Sequence, residues 1–369
     1  MSHQYNRDDM EKVFVGMSGG VDSSVTAYLL KEQGYDVVGV FMRCYNVDGC
    51  AERDAEDARR VAGELGIPFY VWDFEEEYKK RVVEYMIEGY RQGITPNPDV
   101  MCNREIKFGL FLKKALAAGA RYIATGHYVR IKETDGRFAL HEAEDKNKDQ
   151  SYFLWTLTQD DLKHCLFPIG DYAKPDVRAI ARKAGLVTAE KKDSQGICFL
   201  GQVSIEDFLK QYIPAHRGAL MTTNGERVGE HHGAAFYTIG QRHIDADFAF
   251  PKTGGAKERK PFYVASRDTA TNTVVLAEGS ENPALYKDQI ELAQVNFISG
   301  GALKEPTKVL ARVRYRQPLF AARIVPAHGR HFTLQFDKPQ KFVAEGQSAV
   351  LYSAGKSGGN EMLGGGVIL

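Results

Sequence analysis

The sequence predicts an α/β protein in which a doubly wound parallel sheet is followed by a small central domain and a C-terminal β-barrel. Up to about residue 130, short apolar runs alternate with segments of helical length, which is typical of a parallel sheet covered by helices. After about residue 205 the chain changes to short alternating runs separated by Gly- and Thr-rich turns, which indicates β structure. We therefore expect three domains, over residues 1–205, 206–285 and 286–369.

The first domain shows its strands and helices in regular order. Strands are predicted over 13–15, 37–42, 67–74 and 122–128, and helices over 23–33, 51–65, 75–92 and 107–118. Parallel sheets of this kind bind ligands at the carboxyl ends of their strands. The turn after the first strand, Met42, and the pair Gly126-His127 all fall at that edge.

The C-terminal half predicts antiparallel strands. A hairpin over 261–279 turns at Thr271-Asn272, and further strands are predicted over 308–316, 320–327, 330–337, 348–355 and 364–369. Residues 252–260, KTGGAKERK, are the best candidate for a mobile loop.

Composition is that of an ordinary soluble protein. The 369 residues have zero formal net charge, which argues against indiscriminate binding of nucleic acid. One stretch, 301–330, is locally basic, with Lys304, Lys308, Arg312, Arg314, Arg316, Arg323 and Arg330 against Glu305 alone. Five cysteines without a CxxC pair, no signal peptide and no run of 18 apolar residues predict a cytoplasmic protein with reduced thiols and no membrane span.

The most informative segment is the turn between the first strand and the first helix. Gly19 and Gly20 allow the backbone to approach a phosphate closely. The helix that follows directs its N-terminus and several N–H groups at the same point, which makes an anion site. Ser18 and Ser23 add hydroxyl groups, and Asp22 is placed to hold Mg²⁺ against the phosphates. This is not the common GxxxxGK[ST] loop, because no lysine follows the glycines.

Two cysteines lie in settings that suit thiol chemistry. Cys102 follows a stretch stiffened by two prolines and precedes the predicted helix with Lys107, which favours a thiolate. Asp99 is close enough in sequence to act as a general acid or base, although its charge opposes ionisation of the thiol. Cys198 follows a Lys-Lys pair in an expected exposed loop. For both cysteines, burial as a small apolar residue is an equally good interpretation of the residues alone.

The remaining cysteines and a histidine pair are not predicted to act. Cys44 and Cys50 are separated by five residues, which is not a usual zinc spacing, and no histidine completes a ligand set. Cys165 is expected in the core. The tandem His231-His232 is expected at the surface.

Six motifs, in their order and spacing, resemble the tRNA-specific 2-thiouridylases: SGGVDSS, TPNPDVMCN, ATGHY, KDQSYFLW, KKDSQGICF and RYRQP. The first is similar to the pyrophosphate-binding loop of PP-loop ATPases, which cleave ATP between the α and β phosphates. The resemblance spans nearly the whole chain and implies ATP-dependent 2-thiolation of the wobble uridine in tRNAs for Lys, Glu and Gln. It implies ATP and Mg²⁺ as cofactors, and a cysteine desulfurase or a sulfur-relay protein as partner.

The same resemblance implies roles for individual residues. Cys102 would be the nucleophile and Cys198 would carry sulfur as a persulfide, with a Cys102–Cys198 disulfide left after transfer. ATP contacts would fall on Gly16, Met17, Ser18, Gly19, Gly20, Val21, Asp22, Ser23, Met42 and Gly126. Contacts to the target base would fall on Asn97, Pro98 and Asp99. Other tRNA contacts would fall on His127, Lys148, Asp149, Gln150, Arg314, Tyr315 and Gln347.

Some features leave alternatives open. After Gln241-Arg242 the family usually has a glycine-rich loop, whereas this chain has no glycine over 243–247. A PP-loop amidoligase that uses ammonia would need neither Cys102 nor Cys198, and a non-catalytic tRNA-binding module would need no intact nucleotide site. An iron–sulfur cluster held by these two cysteines and either Cys44 or Cys50 is a minority alternative.

Overall fold

The computed structural model describes residues 10–45, 47, 49, 51–192, 199–201, 203–249, 260–301, 303–329, 331–353 and 359–369. Cys50, Cys198 and residues 252–259 of the expected loop, on which predictions were made above, lie outside this part of the chain. Within it, every helix is too short or too polar to cross a bilayer.

The first sheet is parallel and confirms the predicted α/β fold. Its strands run in the order β3 (Phe69–Asp73), β2 (Asp36–Arg43), β1 (Lys12–Gly16), β4 (Tyr122–Thr125) and β7 (Cys165–Leu166). β1 lies between β2 and β4 and pairs in parallel with both. Val13 and Val15 face one apolar cluster and Phe14 faces the other, so β1 is buried on both sides. This double burial explains its unbroken apolar sequence.

Helices cover the two faces of this sheet. The helices Val21–Glu32, Ala51–Leu65 and Lys174–Lys183 pack with Val13 and Val15. Two longer helices pack with Phe14. The first consists of Glu75–Tyr78, the π-helical segment Lys79–Val83 and Glu84–Arg91; we call it the tyrosine helix. The second consists of Pro98–Cys102, the π-helical segment Asn103–Phe111 and Leu112–Ala117; we call it the cysteine helix.

The cysteine helix begins earlier than the sequence predicts. Its predicted start was near Lys107, but the helix begins at Pro98. The Asn97 side chain caps it by accepting a hydrogen bond from the N–H of Val100 at 3.2 Å. Pro98 fits the first helical position because its missing N–H would have no partner there. Cys102 therefore lies inside the helix, not in front of it.

The second sheet forms the central region. Its strands run in the order β10 (Ala246–Phe248), β9 (Arg227–His231), β8 (Gly218–Thr222), β12 (Thr273–Glu278) and β11 (Phe262–Asp268). The predicted hairpin is confirmed, since β11 and β12 are antiparallel and Asn272 in their turn has φ +50°. His231 is buried, contrary to expectation, because its Nδ1 accepts from the N–H of Gly233 and its Nε2 bonds the carbonyl of Asn272.

The third sheet closes into the predicted C-terminal barrel. Its strands run in the order β13 (Tyr286–Phe297), β16 (Phe332–Lys341), β15 (Phe320–Pro326), β14 (Thr307–Arg312), β17 (Ser348–Ser353) and β18 (Glu361–Ile368), and β13 pairs with β18. Beyond β18 the sheet continues into β6 (Arg137–Glu142) and β5 (Val129–Thr134) of the first domain. The barrel thus shares a sheet with the domain that carries the nucleotide loop.

Short helices connect these regions. They are the α-helical turns Gln159–Leu162 and Ile205–Leu209 and the 3₁₀ turns Ser151–Phe153, Ala234–Phe236 and Pro283–Leu285.

Candidate active site

The turn after β1 is shaped for close approach of backbone to a ligand. Gly19 has φ +72°, and a Cβ there would lie 2.2 Å from the carbonyl oxygen of Asp54, so only glycine fits. Gly20 is the N-cap of the helix Val21–Glu32, and no described side chain caps this helix end. The N–H groups of the first turn are therefore left for an external acceptor, as an anion site requires.

The serines of this turn stabilise its shape. The hydroxyl groups of Ser23 and Ser24 donate to the carbonyl of Gly20 at 3.1 and 2.8 Å. The N–H of Ser18 donates to Ser23 Oγ at 3.1 Å. These bonds fix the backbone before any ligand binds. The predicted contact residues Met17 and Val21 have buried side chains, so they can offer a ligand only their backbone.

Residues from three strand ends meet at this turn. Gly126, after β4, lies so close that a Cβ would be 2.8 Å from the backbone nitrogen of Ser23. Met42, in β2, places its Cε 3.0 Å from the Cβ position of Gly16. The structure thus brings together the residues on which the ATP contacts were predicted.

Asp22 has a partner that sequence analysis missed. Lys174 Nζ lies 2.8 Å from each carboxylate oxygen of Asp22, and the Tyr128 hydroxyl donates to Oδ1 at 2.7 Å. Lys174 is buried, and its N–H donates to Asp145 Oδ2. In the sequence, Lys174 is marked only by the proline that follows it. That proline predicts a helix start and does not indicate a contact with Asp22. A carboxylate has about four acceptor positions, and these contacts occupy three of them, so the predicted Mg²⁺ contact of Asp22 would be limited to one position on Oδ2.

Cys102 is a buried thiol, 6% exposed. Burial raises the pKa of the Cys102 thiol above its ordinary value, and the negative charge of Asp99 adds to this effect. The positive charge of Lys107 and a hydrogen bond with the Tyr78 side chain act in the opposite direction. The expectation that the helix and Lys107 make Cys102 a ready thiolate is wrong for this arrangement, because burial outweighs them.

Asp99 and His127 also have perturbed acidities. Burial raises the pKa of the Asp99 carboxyl, with Lys107 opposing it, so the acid stays protonated to higher pH than usual. Burial, helped by Lys107, holds the pKa of His127 well below its ordinary value, so its ring is neutral at pH 7. His127 Nδ1 bonds Thr125 Oγ1 at 2.8 Å, and its ring packs on Phe108 of the cysteine helix at 5.9 Å.

All three domains meet at the stretch before Cys102. Gln347 Nε2 donates to the carbonyls of Thr95 and Pro96 at 2.9 and 3.1 Å. The N–H of Thr95 donates to the carbonyl of Glu345 at 2.7 Å, and Arg267 of β11 donates to Thr95 Oγ1 at 3.1 Å. Gln347, a predicted tRNA contact, thus uses its amide nitrogen to hold the loop that leads to Asn97 and Pro98.

The predicted tRNA contacts 148–150 divide into two kinds. Asp149 is buried and accepts hydrogen bonds from the N–H of Ala143 at 3.0 Å and the hydroxyl of Ser151 at 2.9 Å. Gln150 accepts from the N–H of Tyr128 at 3.0 Å, so these two side chains stabilise the protein. Lys148 instead borders a cavity of about 480 Å³, whose basic lining also includes Lys146, Arg312 and Arg316.

Arg314 and Tyr315 lie in a loop, because β14 ends at Arg312. The Arg314 guanidinium donates to the carbonyl of Ile239 in the central region. The Tyr315 ring lies 4.5 Å from that of Phe153. Both predicted tRNA contacts therefore lie where the barrel meets the other domains, not on a solvated strand face.

The structure adds little on the remaining cysteines. Cys165 is buried at 3% exposure, as expected, and Cys44 is half-buried. Among the described residues, no three His, Cys, Asp or Glu side chains are close enough to hold a metal ion. Cys198 and Cys50, which the iron–sulfur alternative involves, lie outside those residues.

Solved structures match parts of this chain at low similarity. A 4-thiouridine synthetase in complex with RNA and ATP is 19% identical with a TM-score of 0.34, covering 55% of this chain and 50% of its own. The NMN synthetase from Francisella tularensis is 14% identical with a TM-score of 0.33, covering 51% of this chain and 68% of its own. Similarity at this level carries no functional conclusion.

Family and sequence comparisons are far stronger. The chain matches family models described as the tRNA methyl transferase HUP domain over residues 11–202, the tRNA methyl transferase PRC-barrel domain over 206–278 and the aminomethyltransferase beta-barrel domain over 287–368. The tRNA-specific 2-thiouridylase MnmA of Geobacillus thermodenitrificans is 45% identical over 97% of this chain and 94% of that protein. The protein of the same name from Streptococcus mutans is 45% identical over 97% and 95%. This chain therefore belongs to the family of the tRNA-specific 2-thiouridylases.

Proposed function

We propose that this protein is an ATP-dependent sulfurtransferase that replaces the C2 oxygen of the wobble uridine in tRNAs for Lys, Glu and Gln with sulfur. One observation carries the proposal: a single loop contacts both the nucleotide turn and the helix that carries the buried thiol. Gly126 in that loop contacts the backbone of Ser23, and His127 packs on Phe108 of the cysteine helix. Activation by ATP at the C2 oxygen and attack by sulfur at C2 would therefore act on the same carbonyl group of one base. The names of the full-length relatives support this reaction.

The first step activates the base. The C2 oxygen of uracil attacks the α-phosphorus of ATP, the bond to the β-phosphate breaks and pyrophosphate leaves. The N–H groups at the helix end after Gly20 hold the phosphates, and Lys174 places a positive charge beside Asp22. Mg²⁺ bound at the remaining acceptor position of Asp22 would neutralise phosphate charge.

The second step transfers sulfur. The outer sulfur of a Cys198 persulfide attacks C2, and the oxygen leaves with AMP. The Cys102 thiolate then attacks the inner sulfur, the sulfur–sulfur bond to the base breaks, and thiouridine leaves behind a Cys102–Cys198 disulfide. The two thiols supply the two electrons that reduce the transferred sulfur, and a dithiol reductant restores them. Asp99, one helical turn before Cys102, would take up the thiol proton.

Base recognition and sulfur supply complete the proposal. The target base would lie against Asn97, Pro98 and Asp99, which Gln347 and Arg267 hold through the preceding loop. The anticodon loop is already single-stranded, so extruding one base into a buried site costs little. A cysteine desulfurase or a sulfur-relay protein would load Cys198, in the cytoplasm, where thiols stay reduced.

The test is sulfur incorporation into unmodified tRNA for Glu with ATP, Mg²⁺, cysteine and a desulfurase. Wild type is compared with Cys102→Ser, Cys198→Ser and Cys165→Ser, the last a buried cysteine in the core. We expect thiouridine from wild type and Cys165→Ser only, and pyrophosphate release from all four. Pyrophosphate release without thiouridine in wild type would contradict the proposal and favour an amidoligase.

A further inference from the structure

Tyr128 ends the ATGHY motif, yet none of the predicted roles falls on it. It is 2% exposed, and its hydroxyl group donates to Asp22 Oδ1 at 2.7 Å. Lys174 Nζ lies 2.8 Å from both oxygens of the same carboxylate and 5.8 Å from the centroid of the Tyr128 ring. Tyr128 and Lys174 therefore hold the Asp22 carboxylate in one orientation beside the nucleotide turn.

Both backbone groups of Tyr128 are bonded to the same residue. The N–H of Tyr128 donates to Gln150 Oε1 at 3.0 Å, and the N–H of Gln150 donates to the carbonyl of Tyr128 at 2.8 Å. Gln150 belongs to the stretch 148–150, on which tRNA contacts were predicted. The position of the Tyr128 hydroxyl group thus depends on how this stretch is placed.

The start of the helix that carries Lys174 is bonded to the same part of the chain. Asp145 Oδ2 accepts from the N–H of Lys174 at 3.0 Å. Asp145 Oδ1 accepts from the N–H groups of Asn147 and Lys148 at 3.0 and 3.3 Å, which closes a turn. We call residues 145–150 the polar turn. Both partners of the nucleotide-site carboxylate are therefore attached to the polar turn.

The polar turn also borders the cavity of about 480 Å³ described above. The positively charged side chains of its lining are Lys146, Lys148, Arg312 and Arg316. Two carboxylates, Glu142 of the lining and Asp149 of the polar turn, form ion pairs with Arg312, so an excess of positive charge remains. Arg312 is buried, and its Nε has no hydrogen-bond partner among the described residues. Positive charge and an unpaired donor suit a phosphate group.

We propose that the polar turn links the docking of tRNA to the nucleotide site, with Tyr128 as the positioning residue. Phosphate groups of the tRNA backbone bind in the basic cavity, and this contact fixes the polar turn. The turn then fixes Tyr128 and Lys174, and through them Asp22, in the orientation that receives ATP. That the ligand of the cavity is tRNA rests on the proposed function.

The test measures binding of a non-hydrolysable ATP analogue to the full chain by calorimetry, with and without unmodified tRNA for Glu. We expect tRNA to raise the affinity of wild type for the analogue about tenfold, a typical coupling between linked sites. In Tyr128→Phe, which keeps the ring but lacks the hydroxyl group, this ratio should fall to about one. Tyr172→Phe, in the same apolar cluster, is the matched control and should keep the wild-type ratio. Wild type without coupling, or undiminished coupling in Tyr128→Phe, would overturn the proposal.

A second variant tests the link from the polar turn. Asp145→Ala removes the acceptor for the N–H groups of Lys148 and Lys174, so the ratio should again fall to about one. Asp171→Ala, an exposed carboxylate just before the same helix, is its control. Coupling that survives in Asp145→Ala would overturn the proposal, because Tyr128 would then not act through the turn.

A third variant tests the cavity itself. Arg316→Gln should weaken binding of tRNA and lower the slope of log affinity against log salt concentration by about one, since one phosphate contact is lost. Arg323→Gln, another exposed arginine of the barrel, is the control. An unchanged slope in Arg316→Gln would overturn the assignment of phosphate groups to this cavity.

These binding measurements do not depend on sulfur transfer. Wild type that couples the two ligands but makes no thiouridine would contradict the proposed function and leave the link through the polar turn intact. Wild type that makes thiouridine without coupling the two ligands would overturn the link and leave the proposed function standing.

Discussion

The nucleotide loop and the thiol pocket are built in opposite ways. The loop is made by consecutive residues, in which Ser18, Gly20 and Ser23 bond one another. The thiol pocket combines the tyrosine helix, the cysteine helix and, through the loop at Thr95, the central region and the barrel. A local site keeps its geometry wherever the strand and helix form. An assembled site exists only when all three domains are in place.

Each site has a lysine beside its functional group. For these lysines the contrast is reversed, because the one at the nucleotide loop is distant in sequence and the one at the thiol is close. Lys107 belongs to the same helix as Cys102, whereas Lys174 reaches Asp22 from 152 positions away. The backbone of the nucleotide loop is thus held by residues close in sequence, whereas its positive charge comes from a residue far away in sequence. The thiol of Cys102 is surrounded by elements far away in sequence, whereas its positively charged neighbour, Lys107, lies in the same helix. The following substitutions test whether the two sites are as independent as this comparison indicates.

The largest effect is expected for Gly19→Ala. The added Cβ would lie 2.2 Å from the carbonyl oxygen of Asp54, so the loop must distort, and we expect pyrophosphate release to fall at least about 100-fold. Gly34→Ala is the control, because Gly34 also has positive φ but nothing lies within 4 Å of its Cβ position. That variant should lose only about 1 kcal/mol of stability. Alkylation of Cys102 should be unchanged in both; a change would show that the sites are coupled.

Lys174→Met should act on the nucleotide site alone. It leaves Asp22 without its ion pair and removes a positive charge near the phosphates, so pyrophosphate release should fall about 100-fold. Lys183→Met, an exposed lysine of the same helix, is the matched control. Pyrophosphate release at the wild-type rate in Lys174→Met would show that Lys174 only stabilises the fold.

Asp99→Asn should separate two properties of the thiol pocket. Loss of the acid–base group should lower thiouridine formation about 100-fold. Loss of its negative charge should lower the pKa of Cys102, so alkylation should reach its midpoint at lower pH than in wild type. Both are measured on the same preparation. A midpoint that moves to higher pH would contradict the charge arrangement described here.

The smallest effect is expected for Lys107→Met. Without its positive charge the pKa of Cys102 should rise further, and alkylation at a given pH below the midpoint should slow about tenfold. Lys113→Met, exposed on the same helix, should keep the wild-type profile. Pyrophosphate release should be retained in both, and its loss in Lys107→Met would show that the cation serves the nucleotide site as well.

Much of the fold could be predicted because its signals are local. Val13 to Val15 form an apolar run, Gly19 and Gly20 mark a phosphate-type turn, and Thr271-Asn272 marks a hairpin, and the structure contains each feature. The cysteine helix starts at Pro98 and not near Lys107, because Pro98 occupies the first turn instead of ending a loop. Asn97 and Pro98, which are good N-cap and first-turn residues, were the signal that could have located it.

The site could be predicted only where one segment forms it. Nothing in the sequence connects Lys174 or Tyr128 with Asp22, because those pairs form through packing of separate elements. His231 is buried for the same reason, since its partner Asn272 belongs to another strand end. For Cys102, the sequence leaves open whether the thiol is activated by Lys107 or buried as a small apolar residue. The structure shows it buried, and burial raises the pKa of the thiol.

The hairpin β5–β6 has a consequence for how such a protein can be recombined. It lies in the first domain, and the whole central region separates it in sequence from the barrel. Nevertheless Leu140 pairs with Met362 of β18, and Arg312 of β14 forms ion pairs with Glu142 and with Asp149 just after the hairpin. In a chimera that exchanged the barrel alone, the hairpin with its acidic partners would come from one parent. The strand β18 and Arg312, which pair with them, would come from the other parent. Two gene segments that lie far apart therefore have to be inherited together for the shared sheet to remain intact.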